Sequence, residues 1–204
     1  MMIEIRHLYK SFDEKQLFSD LNLVIEDGEF VVFWGESGCG KTTLLNMIGS
    51  LEKIDQGEIL VNHKNIFLRK NQKEYLRNEV GFLFQNFALI EAKTVRENLN
   101  MVKKQTRSEY TVEQALEYVG LSDVVDKQVF KLSGGEQQRV ALARLMIKKC
   151  SIILADEPTG SLDPGNADKV MELLQAFHKM GRTVILVTHV EKYKRLGFRT
   201  IEIA

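Results

Sequence analysis

The chain has 204 residues, 44% of them hydrophobic, which is enough to bury the core of one globular domain but not of two full ones. Basic and acidic residues each number 28, so charge gives no reason to expect nucleic acid or anionic lipid as a partner. Cys39 and Cys150 are too few and too far apart for a disulfide framework or a zinc cluster, which favours a reducing compartment. No signal peptide is evident, and no apolar run approaches the ~20 residues that cross a bilayer, so direct membrane insertion is not expected.

The first sixty residues predict an antiparallel sheet edge and then a buried strand. Hydrophobic residues alternate with charged or polar ones at Ile3 and Ile5 and again over 21–25, and Asp27-Gly28 is typical of a turn. The run 30–34 is continuously apolar, as in a strand that is buried on both faces. A glycine-rich loop joins it to an apolar helix over 43–48, and a further strand is predicted at 57–61.

The remainder predicts helices and strands that alternate. Helical spacing at 94–99 and 112–119 makes the middle third mainly helical. A helix over 136–149, a strand over 152–154, a helix over 166–180 and a strand over 184–187 follow. Such alternation predicts an α/β fold with a parallel sheet. Because there is no repeat, low-complexity tract or long linker, residues 1–204 are interpreted as a single domain.

Residues 35–42 match the phosphate-binding loop G-x-x-x-x-G-K-[ST] at every fixed position, between a predicted strand and a predicted helix. Its glycines allow successive N–H groups to point at phosphate oxygens, and the helix dipole adds to the same field. Lys41 is expected to reach the β- and γ-phosphates, and the Thr42 hydroxyl to bind Mg²⁺. The expected nucleotide contacts are Gly35, Glu36, Ser37, Gly38, Cys39, Gly40, Lys41, Thr42 and Thr43. A glycine-rich turn without a ligand is the alternative.

Two adjacent carboxylates, Asp156 and Glu157, follow the predicted strand at 152–154. Asp156 is expected to hold Mg²⁺ through water, and Glu157 to accept a proton from the water that attacks ATP. Two acids after a strand are often only a solvated turn. The phosphate loop upstream favours the catalytic interpretation.

Ser133, Gly134 and Gly135 precede the predicted helix at 136–149 and build a second helix N-terminus suited to an anion. A capped helix is the alternative for Ser133 alone. With their neighbours they read Leu-Ser-Gly-Gly-Glu-Gln-Gln-Arg, which resembles the signature sequence of ATP-binding cassette ATPases. In that family this loop closes over the γ-phosphate of ATP held by the other subunit. The resemblance implies a P-loop NTPase core with a parallel sheet, an N-terminal antiparallel β subdomain and an inserted helical subdomain at about 86–132.

The resemblance assigns further residues in chain order. Phe12 lies where an aromatic residue usually stacks on adenine, although the family commonly has tyrosine there and a core role is the alternative. Gln85 corresponds to the glutamine that senses Mg²⁺ and the attacking water. Asp163, in Ser-Leu-Asp 161–163, belongs to the loop that crosses the dimer interface, and His189 corresponds to the histidine that contacts the γ-phosphate.

The implied function is ATP hydrolysis in a homodimer, with ATP and Mg²⁺ as ligands and catalytic roles for Lys41, Gln85, Glu157 and His189. A separate transmembrane permease would be the other partner, which places the chain in the cytoplasm, peripheral on the inner face of the membrane. The sequence is similar to the branch that serves macrolide, lipoprotein and bacteriocin exporters, so export is favoured over import. The sequence ends without a tail, so no appended regulatory domain is expected.

Hydrophobic residues after Gln85 lie where the family's permease inserts its coupling helix. We expect Phe87, Leu89 or Ile90 to form a partly exposed docking patch, with ordinary core packing as the alternative. Two other functions stay open: a soluble cassette acting in translation or on DNA, and a regulatory nucleotide-binding module without catalysis. The single cassette with no long coiled coil argues against the first, and the intact catalytic residues argue against the second.

Overall fold

A computed structural model describes residues 2–13 and 15–203, and the strands within them form two sheets. The strands are β1 (Ile3–Phe12), β2 (Lys15–Ile25), β3 (Phe30–Trp34), β4 (Gln56–Val61), β5 (Lys64–Asn65), β6 (Val80–Leu83), β7 (Ile152–Asp156), β8 (Thr183–Thr188) and β9 (Arg199–Glu202). The antiparallel sheet has the order β2-β1-β4-β5. The parallel sheet has the order β6-β7-β8-β3-β9.

The helices pack around these sheets. They are α1 (Lys41–Ile48), α2 (Arg69–Asn78), α3 (Val95–Asn100), α4 (Val112–Tyr118), α5 (Gly134–Ile147), α6 (Pro164–Lys179) and α7 (Glu191–Lys194). Capping boxes begin α3, α4 and α5, and Asp163 caps α6 ahead of a proline at its first position. No helix among the described residues is both long enough and apolar enough to cross a bilayer.

The parallel sheet separates two hydrophobic cores. In β3, Phe30 and Val32 face the core shared with α3, α4, α5 and α6, whereas Val31 and Phe33 face the core shared with α1 and the antiparallel sheet. Every residue of β8 is buried, which explains why the central strands are continuously apolar rather than alternating. The cores hold the carboxyl ends of the central strands in fixed positions.

The architecture confirms the predicted α/β fold and its antiparallel N-terminal sheet. The predicted helices begin earlier than expected at α1, α5 and α6, because capping residues and glycines precede the apolar periodicity. The prediction missed α2, where only Tyr75 is buried, and the four-residue strand β6, so the middle third is less uniformly helical than expected. Residues 86–132 include α3 and α4, and the boundaries of that subdomain stay a prediction.

Candidate functional site

The carboxyl ends of four parallel strands carry the predicted site residues to one edge of the sheet. The phosphate loop follows β3, Gln85 follows β6, Asp156 ends β7 with Glu157 directly after it, and His189 follows β8. A cavity of about 290 Å³ lies there, and its lining includes Lys41, Thr42, Gln85, Glu157 and His189. Open parallel sheets bind their ligands at this edge.

The phosphate loop has the backbone shape that its glycines permit. Gly38 and Gly40 adopt φ values of 80° and 101°, in the left-handed region that favours glycine. Gly40 leads directly into α1, so the first turn of that helix, whose N–H groups lack intrahelical partners, lines the cavity. The buried Lys41 ammonium donates to the carbonyl oxygens of Gly35, at 2.9 Å, and of Glu36. The lysine is therefore held against the loop that would cradle phosphate.

Thr42 and Asp156 meet across the site. The Thr42 hydroxyl donates to Asp156 Oδ1 at 2.9 Å, which brings two hard oxygen ligands together. Burial raises the pKa of Asp156, while the hydrogen bond from Thr42 and the charge of Lys41 act in the opposite direction. The described residues contain no cluster of three or more His, Cys, Asp and Glu suited to a metal. This donor set fits Mg²⁺ that takes its remaining ligands from phosphate and water.

Glu157 is held in an uncommon conformation beside His189. Its φ of 43° is left-handed, which costs about 1–3 kcal/mol for a non-glycine residue, and its N–H donates to Val187 O at 3.0 Å. One carboxylate oxygen, Oε1, lies 2.9 Å from His189 Nδ1. The other, Oε2, is buried without a protein partner. Such an orphaned oxygen is suited to accept a proton from a water molecule.

Gln85 lies on a turn that the signature helix α5 holds in place. Phe87 and Ala88, two and three residues after Gln85, have φ values of 63° and 47°, both left-handed. Arg144 of α5 donates to the carbonyl oxygens of Phe87, at 3.1 Å, and of Ala88. Burial lowers the pKa of this arginine, so its placement has an energetic cost. Sequence reasoning missed Arg144 because nothing local marks it.

The signature residues lie elsewhere on the same chain. Ser133 caps α5: its hydroxyl accepts from Glu136 N at 3.3 Å, and the Glu136 carboxylate accepts from Ser133 N at 2.7 Å. The described lining of the 290 Å³ cavity includes neither Ser133 nor Gly134 nor Gly135. The signature residues therefore stand outside the described lining of the cavity beside their own chain's phosphate loop.

Asp163 and Phe12 also lie outside that lining. Asp163 Oδ1 accepts from Asn166 N at 3.1 Å and so caps α6. Phe12 ends β1, is 45% exposed, and has Lys10 Nζ 4.5 Å from its ring centroid. An exposed ring is compatible with adenine stacking, and that role stays a prediction.

Residues 18–160 match the family model described as "ABC transporter". A relative named ABC transporter ATP-binding protein YxdL, from Bacillus subtilis (strain 168), is 38% identical over 92% of this chain and 77% of its own length. Macrolide export ATP-binding/permease protein MacB from Aggregatibacter actinomycetemcomitans is 38% identical over 99% of this chain, but over only 33% of its own length. A solved dimer of the ATP-binding cassette MJ0796 bound to ADP and Pi has a TM-score of 0.83 and 33% identity, covering 98% of this chain and 94% of that one.

These similarities, on top of the site geometry, place the chain in the ABC transporter family as an ATP-binding cassette. Its activity is that of an ATPase. The dimeric state of the related cassette supports a homodimer.

Proposed function

We propose that this chain is the ATP-hydrolysing subunit of an ABC exporter, working as a MgATP sandwich dimer that drives a separate permease from the cytoplasmic face of the membrane. One observation carries the sandwich arrangement. Lys41, Thr42, Glu157 and His189 surround one cavity, and the signature loop of the same chain stands outside it. A site completed by the signature loop of a second copy accounts for both facts.

Thr42 and Asp156 would hold Mg²⁺, with Gln85 completing its protein contacts. The bound ion would neutralise charge on the β- and γ-phosphates. Lys41 would exchange its loop carbonyls for phosphate oxygens, and Ser133, Gly134 and Gly135 of the partner copy would cover the γ-phosphate. Closure excludes water, which strengthens each of these electrostatic contacts.

Glu157 would act as the general base. Its Oε2 accepts a proton from the attacking water, a new bond forms between the water oxygen and the γ-phosphorus, and ADP departs with the electrons of the broken bond. His189 would orient Glu157 and contact the γ-phosphate. The 2.9 Å approach of His189 Nδ1 to Glu157 Oε1 supports this pairing.

The Glu157→Gln variant tests the base. Phosphate release should fall roughly 10²- to 10⁴-fold, as loss of a general base typically causes, while ATP still binds and the dimer accumulates in the closed form. Turnover is measured by phosphate release and the dimer by size-exclusion chromatography with MgATP. Rapid steady turnover in Glu157→Gln would refute the assignment.

The predicted docking patch is partly exposed, as the proposal needs. Phe87 and Leu89 are half-buried, Leu89 packs against the core, and Ile90 is 41% exposed. Through Ala88 the patch adjoins a groove of about 690 Å³, whose apolar wall includes Phe84 and Met101.

The same groove also carries positive charge. Its described lining contains no carboxylate and includes five basic residues, Lys73, Arg77, Lys103, Arg144 and Lys148. Since the chain has zero formal net charge, this clustering is local. We infer that the permease presents a segment with both apolar and acidic side chains here.

Substitutions separate docking from catalysis. Leu89→Asp with Ile90→Asp should abolish recovery of the permease and the coupled ATPase, and Lys103→Glu should weaken both by charge repulsion. Lys179→Glu, on α6 away from the groove, is the matched control. The ATPase of the isolated cassette should persist in all of them. Unchanged membrane association in the patch and groove variants would contradict docking at this surface.

Export rests on the similarity to MacB, which is named as a macrolide export protein. A soluble cassette is the competing function. The tagged Glu157→Gln variant is expressed in the native host and purified from solubilised membranes with MgATP. One polytopic membrane protein should co-purify with it. Enrichment of ribosomal or DNA-associated proteins instead would favour the soluble cassette.

A further inference from the structure

The side chain of Asn166, in the first turn of α6, joins two segments that both belong to the proposed dimer-facing surface. Its Oδ1 accepts a hydrogen bond from Arg139 Nη1 of α5 at 2.6 Å. Its Nδ2 donates to Asp163 Oδ2 at 2.6 Å. One amide therefore links the signature helix to the loop that precedes α6.

The same amide packs against the signature sequence itself. A Cβ at Gly135 would lie 2.3 Å from Asn166 Cγ, closer than real side chains approach. Only a glycine at this position admits the amide between the two segments. Next to it, a Cβ at Gly134 would lie 3.7 Å from Leu162, so the loop over 161–163 follows the signature residues at van der Waals distance.

These side-chain bonds are not needed to begin α6. The backbone N–H of Asn166 already bonds Asp163 Oδ1, which completes the cap, and Pro164 supplies the first helical residue. The amide instead engages the second carboxylate oxygen of Asp163. Hydrogen bonding by Asn166 lowers the pKa of Asp163, which shows that the amide favours the carboxylate form of its partner.

We propose that Asn166 is a positioning residue that fixes the signature loop and the Asp163 loop as one unit, so that both meet the ATP held by the partner copy in the same closure. This inference rests on the sandwich dimer proposed above. Asn166 is not among the described residues that line the cavity beside the phosphate loop of its own chain. It sets the relative position of two loops that would otherwise move independently.

Asn166→Ala in a Glu157→Gln background tests the link, with Gln175→Ala on the same helix as the matched control. The monomer should bind ATP as before, whereas the MgATP-dependent dimer dissociation constant should rise about 10- to 100-fold, since each protomer of a symmetric dimer loses the two charge-assisted bonds that hold its two loops together. In the otherwise native chain, half-maximal ATPase should require more ATP.

Asn166→Asp keeps the packing and the acceptor for Arg139 but replaces the donor to Asp163 with a like charge. It should weaken dimerisation too, while Gln175→Ala should not. Unchanged dimerisation in both Asn166 variants would overturn the proposal. So would an equal loss of ATP binding by the monomer, which would indicate a folding role. If Glu157→Gln alone fails to dimerise, the sandwich proposal fails, and this inference falls with it.

Discussion

The phosphate loop and the signature helix both present a helix N-terminus suited to an anion, but they are stabilised in different ways. The lysine of the phosphate loop bonds within its own segment, since Lys41 donates to carbonyls five and six residues before it, although Lys15 of β2 also donates to Gly38 O at 3.2 Å. The signature helix α5 reaches distant segments instead. Gln138 Nε2 donates to Pro158 O at 2.8 Å, Arg139 bonds Asn166, and Arg144 bonds the turn after Gln85. The lysine of the first region is therefore held mainly by its own loop, whereas the second region is bonded to several segments that lie far away in the chain.

Alkylation of the Cys39 thiol should disable the phosphate loop without affecting the signature helix. The resulting loss of ATP binding is the largest effect that we expect. Cys39 is half-buried with Lys41 Nζ 3.7 Å from its sulfur, while burial raises the pKa of the Cys150 thiol and protects it. Modification of Cys39 should eliminate ATP binding, and prior ATP should protect it. Mass spectrometry locates the adduct. A Cys39→Ser variant that stays sensitive would contradict this.

Gly35→Ala should damage the same region through the backbone. The added Cβ would lie 2.2 Å from the carbonyl oxygen of Ile203, which belongs to the main chain and cannot rotate away. The expected cost is about 3 kcal/mol, or roughly 10²-fold in ATP affinity by titration. Gly38→Ala is the comparison variant and should lose less, because its Cβ meets nothing within 4 Å and only the backbone strain at a φ of 80° opposes it. Equal losses in the two variants would mean that the clash is unimportant.

Gly135→Ala should have a smaller effect that a second substitution can relieve. Its Cβ collides with a side chain, Asn166, rather than with the backbone. Dimerisation should weaken about tenfold or more. In the Gly135→Ala, Asn166→Ala double variant the loss should be clearly less than the sum of the single losses. Additive losses in a double-mutant cycle would show that the two residues act separately.

The contrast between local contacts in the phosphate loop and long-range contacts of the signature helix explains which site residues the sequence could predict. The phosphate loop and the acids at Asp156 and Glu157 were predictable, because their chemistry depends on contiguous residues and a neighbouring strand. Asn166 and Arg144 were not, because their partners lie far away in the chain and become neighbours only when α5 packs against both α6 and β6. The strand β6 was missed for a related reason: four residues are too few for a clear period, although this strand delivers Gln85 to the site.

Arg144 offers the mildest test of the second region. Arg144→Met keeps the length and packing of the side chain but leaves the carbonyls of Phe87 and Ala88 without their donor, at about 1 kcal/mol for each lost bond. Both residues are left-handed, so the turn should relax toward ordinary φ values and carry Gln85 with it.

Turnover in Arg144→Met should fall about five- to tenfold with little change in ATP affinity. Arg144→Lys, which retains the charge and a donor, should recover part of the loss. Ala88→Gly in the Arg144→Met background should restore part of the turnover, because glycine adopts a left-handed φ without strain and the turn then depends less on the arginine. If Lys and Met at position 144 behave alike, charge and hydrogen bonding there are not what holds the turn, and packing of α5 alone must position Gln85.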